Sequence, residues 1–148
     1  MIDIQAVEPA ARRAYLPLLL DADPSEEMVA RYLTRGEMYA VVVDGAPVCE
    51  AVVLPLPGGR CELKNLACAP GCRGQGYASL LLEYLFLAFA GRFTEMLVGT
   101  SEKGMGFYAR LGFAYSHTVP GFFTDNYPAP LYEDGVQCVD MHYLRRAL

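Results

Sequence analysis

Hydrophobic and polar positions along this chain change period several times, and each change marks an element. Met1 to Val7 alternates apolar and polar residues, the two-residue period of a strand with one buried face. Glu8 to Leu20 shifts to a helical stripe, with Ala11, Tyr15, Leu18 and Leu19 at turn spacing. Pro24, Ser25, Glu26 and Glu27 predict a helix start, with a serine cap and acids in the first turn. This second helix is expected to run to Arg35 and stop at Gly36. Met38 to Val43 and Val48 to Leu54 flank Asp44-Gly45, a hairpin signal. Pro55 to Gly59 supplies the next turn, and Cys61 to Cys68 returns as a strand.

The second half opens on a longer helix, Tyr77 to Ala90, whose stretch from Leu80 to Phe89 has almost no polar face. Such a helix is expected to be covered on several sides. Glu95 to Gly99 reads as a strand, Glu102 to Leu111 as a helix ended by Gly112, and Phe113 to Thr118 as a strand. Val119 to Val136 carries three prolines among Phe122, Phe123, Tyr127 and Tyr132, which predicts a structured loop with packed aromatics. Gln137 to Leu144 closes as a last strand. The order β-α-α-β-β-β-α-β-α-β-β predicts an α/β mixture around one sheet, and 148 residues fit a single domain, 1–148.

Composition narrows the function classes. The apolar fraction is 53% and the charged fraction 20%, so the chain can fill a core. Asp and Glu outnumber Lys and Arg by 17 to 12, and no basic cluster is present, which argues against nucleic acid as a partner. No apolar stretch is long enough to span a bilayer, and Met1 to Gln5 lacks the features of a signal peptide, so a soluble, cytoplasmic protein is expected. Cys49, Cys61, Cys68, Cys72 and Cys138 are odd in number and read as buried small apolar residues in a reducing compartment. Only His117 and His142 could join them as nitrogen ligands, so no metal is expected.

The candidate chemistry lies between Leu66 and Ser79. An apolar strand stops at Pro70, turns, and enters the long helix through Gly74 and Gly76. This aims backbone N–H groups and the positive end of a helix dipole at one point, which suits a phosphate. A P-loop would need a Lys and a Ser or Thr after the last glycine, and Gly76-Tyr77-Ala78 has neither. A dinucleotide fingerprint would make Glu95 the ribose ligand, but Glu95 starts its strand instead of ending one. An acetyl-CoA loop and glycines that open a helix for packing alone are the other readings.

Arg73-Gly74-Gln75-Gly76-Tyr77-Ala78 after a strand resembles the acetyl-CoA pyrophosphate loop of the GNAT family of N-acetyltransferases. Downstream, Phe107-Tyr108-Ala109-Arg110-Leu111-Gly112-Phe113 is similar to the second motif of that family. The two motifs in this order extend the resemblance over essentially the whole chain, as a small bacterial single-domain member. The resemblance implies a single mixed, mostly antiparallel sheet of six to seven strands flanked by about four helices. It also implies acetyl-CoA as co-substrate, with the pantetheine arm on the strand segment Leu66, Ala67 and Cys68. The diphosphate would sit on backbone N–H groups from Gly74, Gln75, Gly76, Tyr77, Ala78 and Ser79, with Arg73 opening the motif.

The same resemblance implies that Tyr108 is the general acid toward the leaving sulfur. Glu62, four residues before Leu66, matches the general base of histone-type members, with Glu50 and Glu133 as rivals. Where many members carry an asparagine seven residues before the tyrosine, this chain has Ser101, whose hydroxyl can make one hydrogen bond to the cofactor. The implied reaction is direct transfer of acetyl to the primary amine of a small molecule or peptide. The aromatics of 121–141, interleaved with Asp125, Glu133 and Asp134, could cage a cationic amine or could simply cap the sheet. A non-catalytic acetyl-CoA sensor of the same fold stays open as an alternative, and so does assembly as a homodimer.

Overall fold

The structure, a computed structural model, describes residues 1–148. In chain order it contains β1 (Ile2–Ala6), a 3-10 segment (Pro9–Tyr15), α1 (Leu16–Ala22), α2 (Glu26–Ala30), β2 (Glu37–Val43), β3 (Ala46–Leu56) and β4 (Arg60–Cys68). Then follow α3 (Tyr77–Phe89), β5 (Glu95–Thr100), α4 (Glu102–Arg110), β6 (Ala114–Val119), α5 (Phe122–Asn126), β7 (Leu131–Glu133), β8 (Val136–Cys138) and β9 (Met141–Ala147). Seven strands form one sheet in the order β1-β2-β3-β4-β5-β9-β6, and β7 and β8 make a separate ribbon. Only β4 and β5 run parallel, because α3 carries the chain back to the starting edge between them. The sheet is therefore mixed and mostly antiparallel, as the resemblance implied, with five α-helices around it.

Several elements depart from the sequence reading. The helix expected over Glu8 to Leu20 divides, and α1 restarts with Pro17 in its first turn, where a missing N–H costs nothing. The second helix is short: Ser25 caps it by accepting from the Met28 N–H at 3.2 Å, but Arg31 to Arg35 form turns. The last strand begins at Met141, since Gln137 and Cys138 belong to β8. The loop Val119 to Val136 contains α5 and one arm of a hairpin whose turn, Asp134-Gly135, takes φ values of 49° and 81°. Asp-Gly marks this hairpin as plainly as it marks the one at Asp44-Gly45. Finally, α3 is not covered all round: Leu81, Leu82, Leu85, Phe86 and Phe89 are buried, but Leu87 is 82% exposed.

The two faces of the sheet hold different cores. Under α3 lies an apolar cluster of 16 buried residues drawn from β2 to β5, α3 and the C-terminal strands. Under α1 and α2 lies a cluster of 8, and polar groups are built into that side. Arg12 is buried there and donates to the carbonyls of Val7, Leu33 and Gly36 at 2.7 to 3.0 Å. Asn65, also buried, donates to the Leu19 carbonyl and to the Tyr32 hydroxyl, each at 3.0 Å.

Candidate active site

The parallel ladder between β4 and β5 pairs Arg60 to Leu63 with Glu95 to Val98 and then ends. At that point β4 carries a bulge: Val53 faces Leu63 but Val52 faces Asn65, which leaves Lys64 as the extra residue. A bulge bends its strand and raises the local twist, so β4 turns away from β5 here. Beyond it, Leu66, Ala67 and Cys68 still pair with β3 on one side, while no ladder occupies their other edge. The sequence-predicted pantetheine strand is thus a half-used strand facing an opening. An extended chain with amide groups can add to such an edge.

The loop after β4 ends at the same opening. Gly74 and Gly76 take φ values of 74° and 86°, and nothing lies within 4 Å of where a side chain would begin at either position. A side chain there would strain the backbone and fill the space over the helix end. Gly76 is the N-cap of α3, and no side chain caps that end. The first helical N–H with an intrahelical acceptor is that of Leu80, bonded to the Gly76 carbonyl at 3.0 Å. The N–H groups of Tyr77, Ala78 and Ser79 precede it; that of Ala78 lies against the Cys68 sulfur, and the others are left as donors at the positive end of the dipole. Gln75 folds back onto the Gly71 carbonyl at 3.1 Å. Arg73 donates to the Cys68 carbonyl and to Asp21, at 3.2 and 3.3 Å, so its side chain ties the loop to β4 and α1.

Tyr108, on α4, borders the opening together with Leu66, Val98, Ser101 and Glu133. Its ring stacks edge-on against Phe107 and Phe113, with centroids 5.1 and 5.5 Å away. Burial, then the nearby Glu50 charge, raises the affinity of its hydroxyl for the proton. At neutral pH Tyr108 is therefore a proton donor and not a phenolate. Ser101 is buried and donates to Glu133, both oxygens lying at 3.0 Å. The hydroxyl expected to meet the cofactor is thus engaged by a carboxylate, and Glu133 is in turn held by Ser101 and by the Cys138 thiol.

Glu62 lines an adjoining recess of about 280 Å³ that also touches Tyr32, Phe122, Tyr127 and Tyr143. Its Oε2 accepts from Lys64 Nζ at 3.2 Å and from the Tyr143 hydroxyl at 3.4 Å. The two recesses share Asp23, Leu63, Lys64, Gly99, Tyr127 and Met141, with Glu62 lining one and Tyr108 the other. Glu50 is different in kind. It is fully buried on β3 and neither carboxyl oxygen has a hydrogen-bond partner. Burial, then the charge of Cys68, pushes its affinity for the proton well up, against an opposing pull from the Ala67 N–H nearby. Glu50 lines neither recess, whereas Glu62 and Glu133 each border one.

The C-terminal loop closes the mouth. Tyr127 and Tyr32 both donate to Asp23, at 2.7 and 2.9 Å, joining residues 104 positions apart. Phe122, Phe123 and Tyr127 pack on one another over this wall, while Tyr132 stands outside it, 62% exposed. Sequence reasoning missed Asp23, Asn65 and Tyr143, which lie on separate elements and follow no motif.

A profile for the acetyltransferase (GNAT) domain matches residues 34–115, more than half of the chain. The chain belongs to the GNAT acetyltransferase family. A GNAT acetyltransferase of Elizabethkingia anophelis, solved with acetyl-CoA bound, superposes with a TM-score of 0.92 at 32% identity, covering 99% of this chain and 98% of that one. An IAA acetyltransferase of Bacillus cereus superposes with a TM-score of 0.93 at 28% identity, covering both chains completely. The uncharacterized N-acetyltransferase YvbK of Bacillus subtilis is 29% identical over 128 residues, 84% of this chain and 83% of that protein. This GNAT chain is thus an acyltransferase by family, and its opening between β4 and β5 lies between the two motifs that define the resemblance. None of its helices is long and apolar enough to cross a membrane.

Proposed function

We propose that the protein is an acetyl-CoA-dependent N-acetyltransferase that acts by direct attack of an amine on the thioester. The observation that carries this reading is the abrupt end of the β4–β5 ladder at Leu63 and Val98, beside an uncapped helix opened by Gly76. The relative from Elizabethkingia anophelis, similar over nearly its whole length, supports acetyl-CoA as donor. The pantetheine arm runs along Leu66, Ala67 and Cys68, where the free strand edge offers amide partners. The diphosphate sits on N–H groups of the Gly74 to Ser79 turn, and Ser101 lies near the acetyl end.

Catalysis needs a neutral amine, a polarised carbonyl and a proton for the leaving sulfur. Free N–H groups on the β4 edge polarise the carbonyl where charge develops. Tyr108, protonated by its surroundings, delivers the proton to sulfur. Glu62, in the adjoining recess, takes the proton from the incoming amine directly or through a water. The acceptor is a small molecule or peptide bearing a primary amine, entering past Tyr127 and Phe122.

Release of thiol from acetyl-CoA against polyamines, aminoglycosides, amino acids and short peptides tests this. Turnover with at least one amine is expected, and Tyr108→Phe should lower kcat about 100-fold, within the range of a lost general acid, with acetyl-CoA affinity retained. Tight acetyl-CoA binding without turnover on any amine would favour the non-catalytic sensor. Equal kcat for wild type and Tyr108→Phe would remove the acid role.

A further inference from the structure

Cys49 and Cys68 face each other across β3 and β4 in direct register. The next pair along, Val48 and Ala69, is hydrogen-bonded, with the Ala69 N–H on the Val48 carbonyl at 2.8 Å. In an antiparallel ladder these sites alternate, so the cysteines occupy the narrow, non-hydrogen-bonded site where side chains stand closest. Their sulfurs are 2.9 Å apart, and both thiols are free. Such a pair needs to close only to about 2.05 Å to bond, and its Cα spacing falls in the range disulfides accept.

The two thiols are not equivalent. Cys49 is fully buried, whereas Cys68 is half-buried. Cys68 opens onto a surface recess of about 300 Å³ with Asp21, Ala22, Leu66, Ala67 and Arg73. The hydrogen bond with Cys49, the Ala78 N–H at the start of α3 and the Arg73 charge all favour the thiolate at Cys68. The same contact and deep burial hold the proton on Cys49. An accessible thiolate at a helix N-terminus beside a sheltered second thiol is the arrangement of an attacking and a resolving cysteine. The sequence reading of the cysteines as buried small apolar residues holds for Cys49, while Cys68 is only half-buried.

We propose that Cys68 and Cys49 form a redox-active dithiol site that reacts with low-molecular-weight disulfides. The Cys68 thiolate attacks one sulfur of such a disulfide, breaking its S–S bond and expelling one half, which takes up a proton and leaves as a thiol. Cys49 then gives up its proton and attacks the Cys68 sulfur, expelling the second half as a thiol. Two protein thiols are oxidised by two electrons to one disulfide, and the reagent is reduced to two thiols.

The experiment treats the whole native protein with glutathione disulfide, blocks the remaining thiols, and reads intact mass and linked peptides. Loss of two hydrogens with Cys49 joined to Cys68 is expected, and Cys49→Ala should stop at a glutathione adduct on Cys68. A wild-type protein that accumulates the adduct at Cys68, links Cys68 to Cys72, or leaves both thiols free would overturn the proposal. A further arm rests on the acetyl-CoA reading, since a pantetheine arm along β4 covers the recess. Acetyl-CoA at about tenfold over its Kd should slow disulfide formation about tenfold by mass action. Unchanged speed, with the same disulfide formed, would count against that cofactor path and leave the dithiol standing.

Discussion

The face of the sheet under α3 and the face under α1 and α2 are built from different materials. The first is a dry cluster of 16 residues in which Leu81, Leu82, Leu85 and Phe89 meet strands with no polar group between them. The second is half that size and is threaded with Arg12, Asn65 and Glu50. The dry face fixes α3, and with it the N-terminal donors, by many small contacts that no single residue controls. The polar face shapes the recesses around Glu62 and Asp23 through individual hydrogen bonds, each with one donor and one acceptor. A site whose donor is constant and whose acceptor is specific fits this division: rigid backbone on one side, adjustable side chains on the other.

The contrast predicts where mutations hurt most. Leu85→Ala, deep in the dry face, should cost about 2–5 kcal/mol in chemical denaturation through lost burial and an unfilled cavity. Arg12→Ala, which leaves three buried carbonyls without a donor, should cost about 2–3 kcal/mol and loosen the turn after α2. If the arginine proves the costlier of the two, the polar face is the main anchor and the comparison inverts.

The smallest effect has the opposite sign. Burial raises the affinity of Glu50 for its proton in the fold, while in the unfolded chain it ionises near its ordinary value of about 4.3. Above that value the folded state binds the extra proton, so stability falls as pH rises toward the folded pKa and is fully present below the unfolded one. Glu50→Gln removes the proton requirement. Its melting temperature should match wild type near about pH 4 and exceed it increasingly toward about pH 8. Parallel curves would show that the carboxyl is ionised in the fold and finds a partner there.

The same division explains what the sequence could show. The donor side is written locally: Gly74 and Gly76 adopt the positive φ that only glycine holds easily, and a strand before them and a helix after them follow from period alone. The edge that β4 offers was readable as a strand, but the bulge at Lys64 that frees it was not, since nothing in the residue types there marks a register shift. The acceptor side is assembled from distant positions. Asp23 meets Tyr127 across 104 positions of sequence, and Asn65 meets Tyr32 under α1, contacts with no spacing signature. Glu50 and Glu62 lie on neighbouring strands, and it is burial and partners that separate them: the Glu50 carboxyl has no hydrogen bond, whereas Glu62 accepts from Lys64 and Tyr143. The β7–β8 hairpin is a different case, because Asp134-Gly135 carried the signal and the surrounding prolines obscured it.

The central claim is that the opening beside β4 and the N-terminus of α3 hold acetyl-CoA. Calorimetric titration of acetyl-CoA into wild type and Gly76→Leu tests it most directly, because the added side chain projects into open space over the helix end. A folded variant, checked by circular dichroism, should bind at least about 100-fold more weakly, a loss of about 2.7 kcal/mol. Equal affinity in the two proteins would contradict the account and place the cofactor elsewhere.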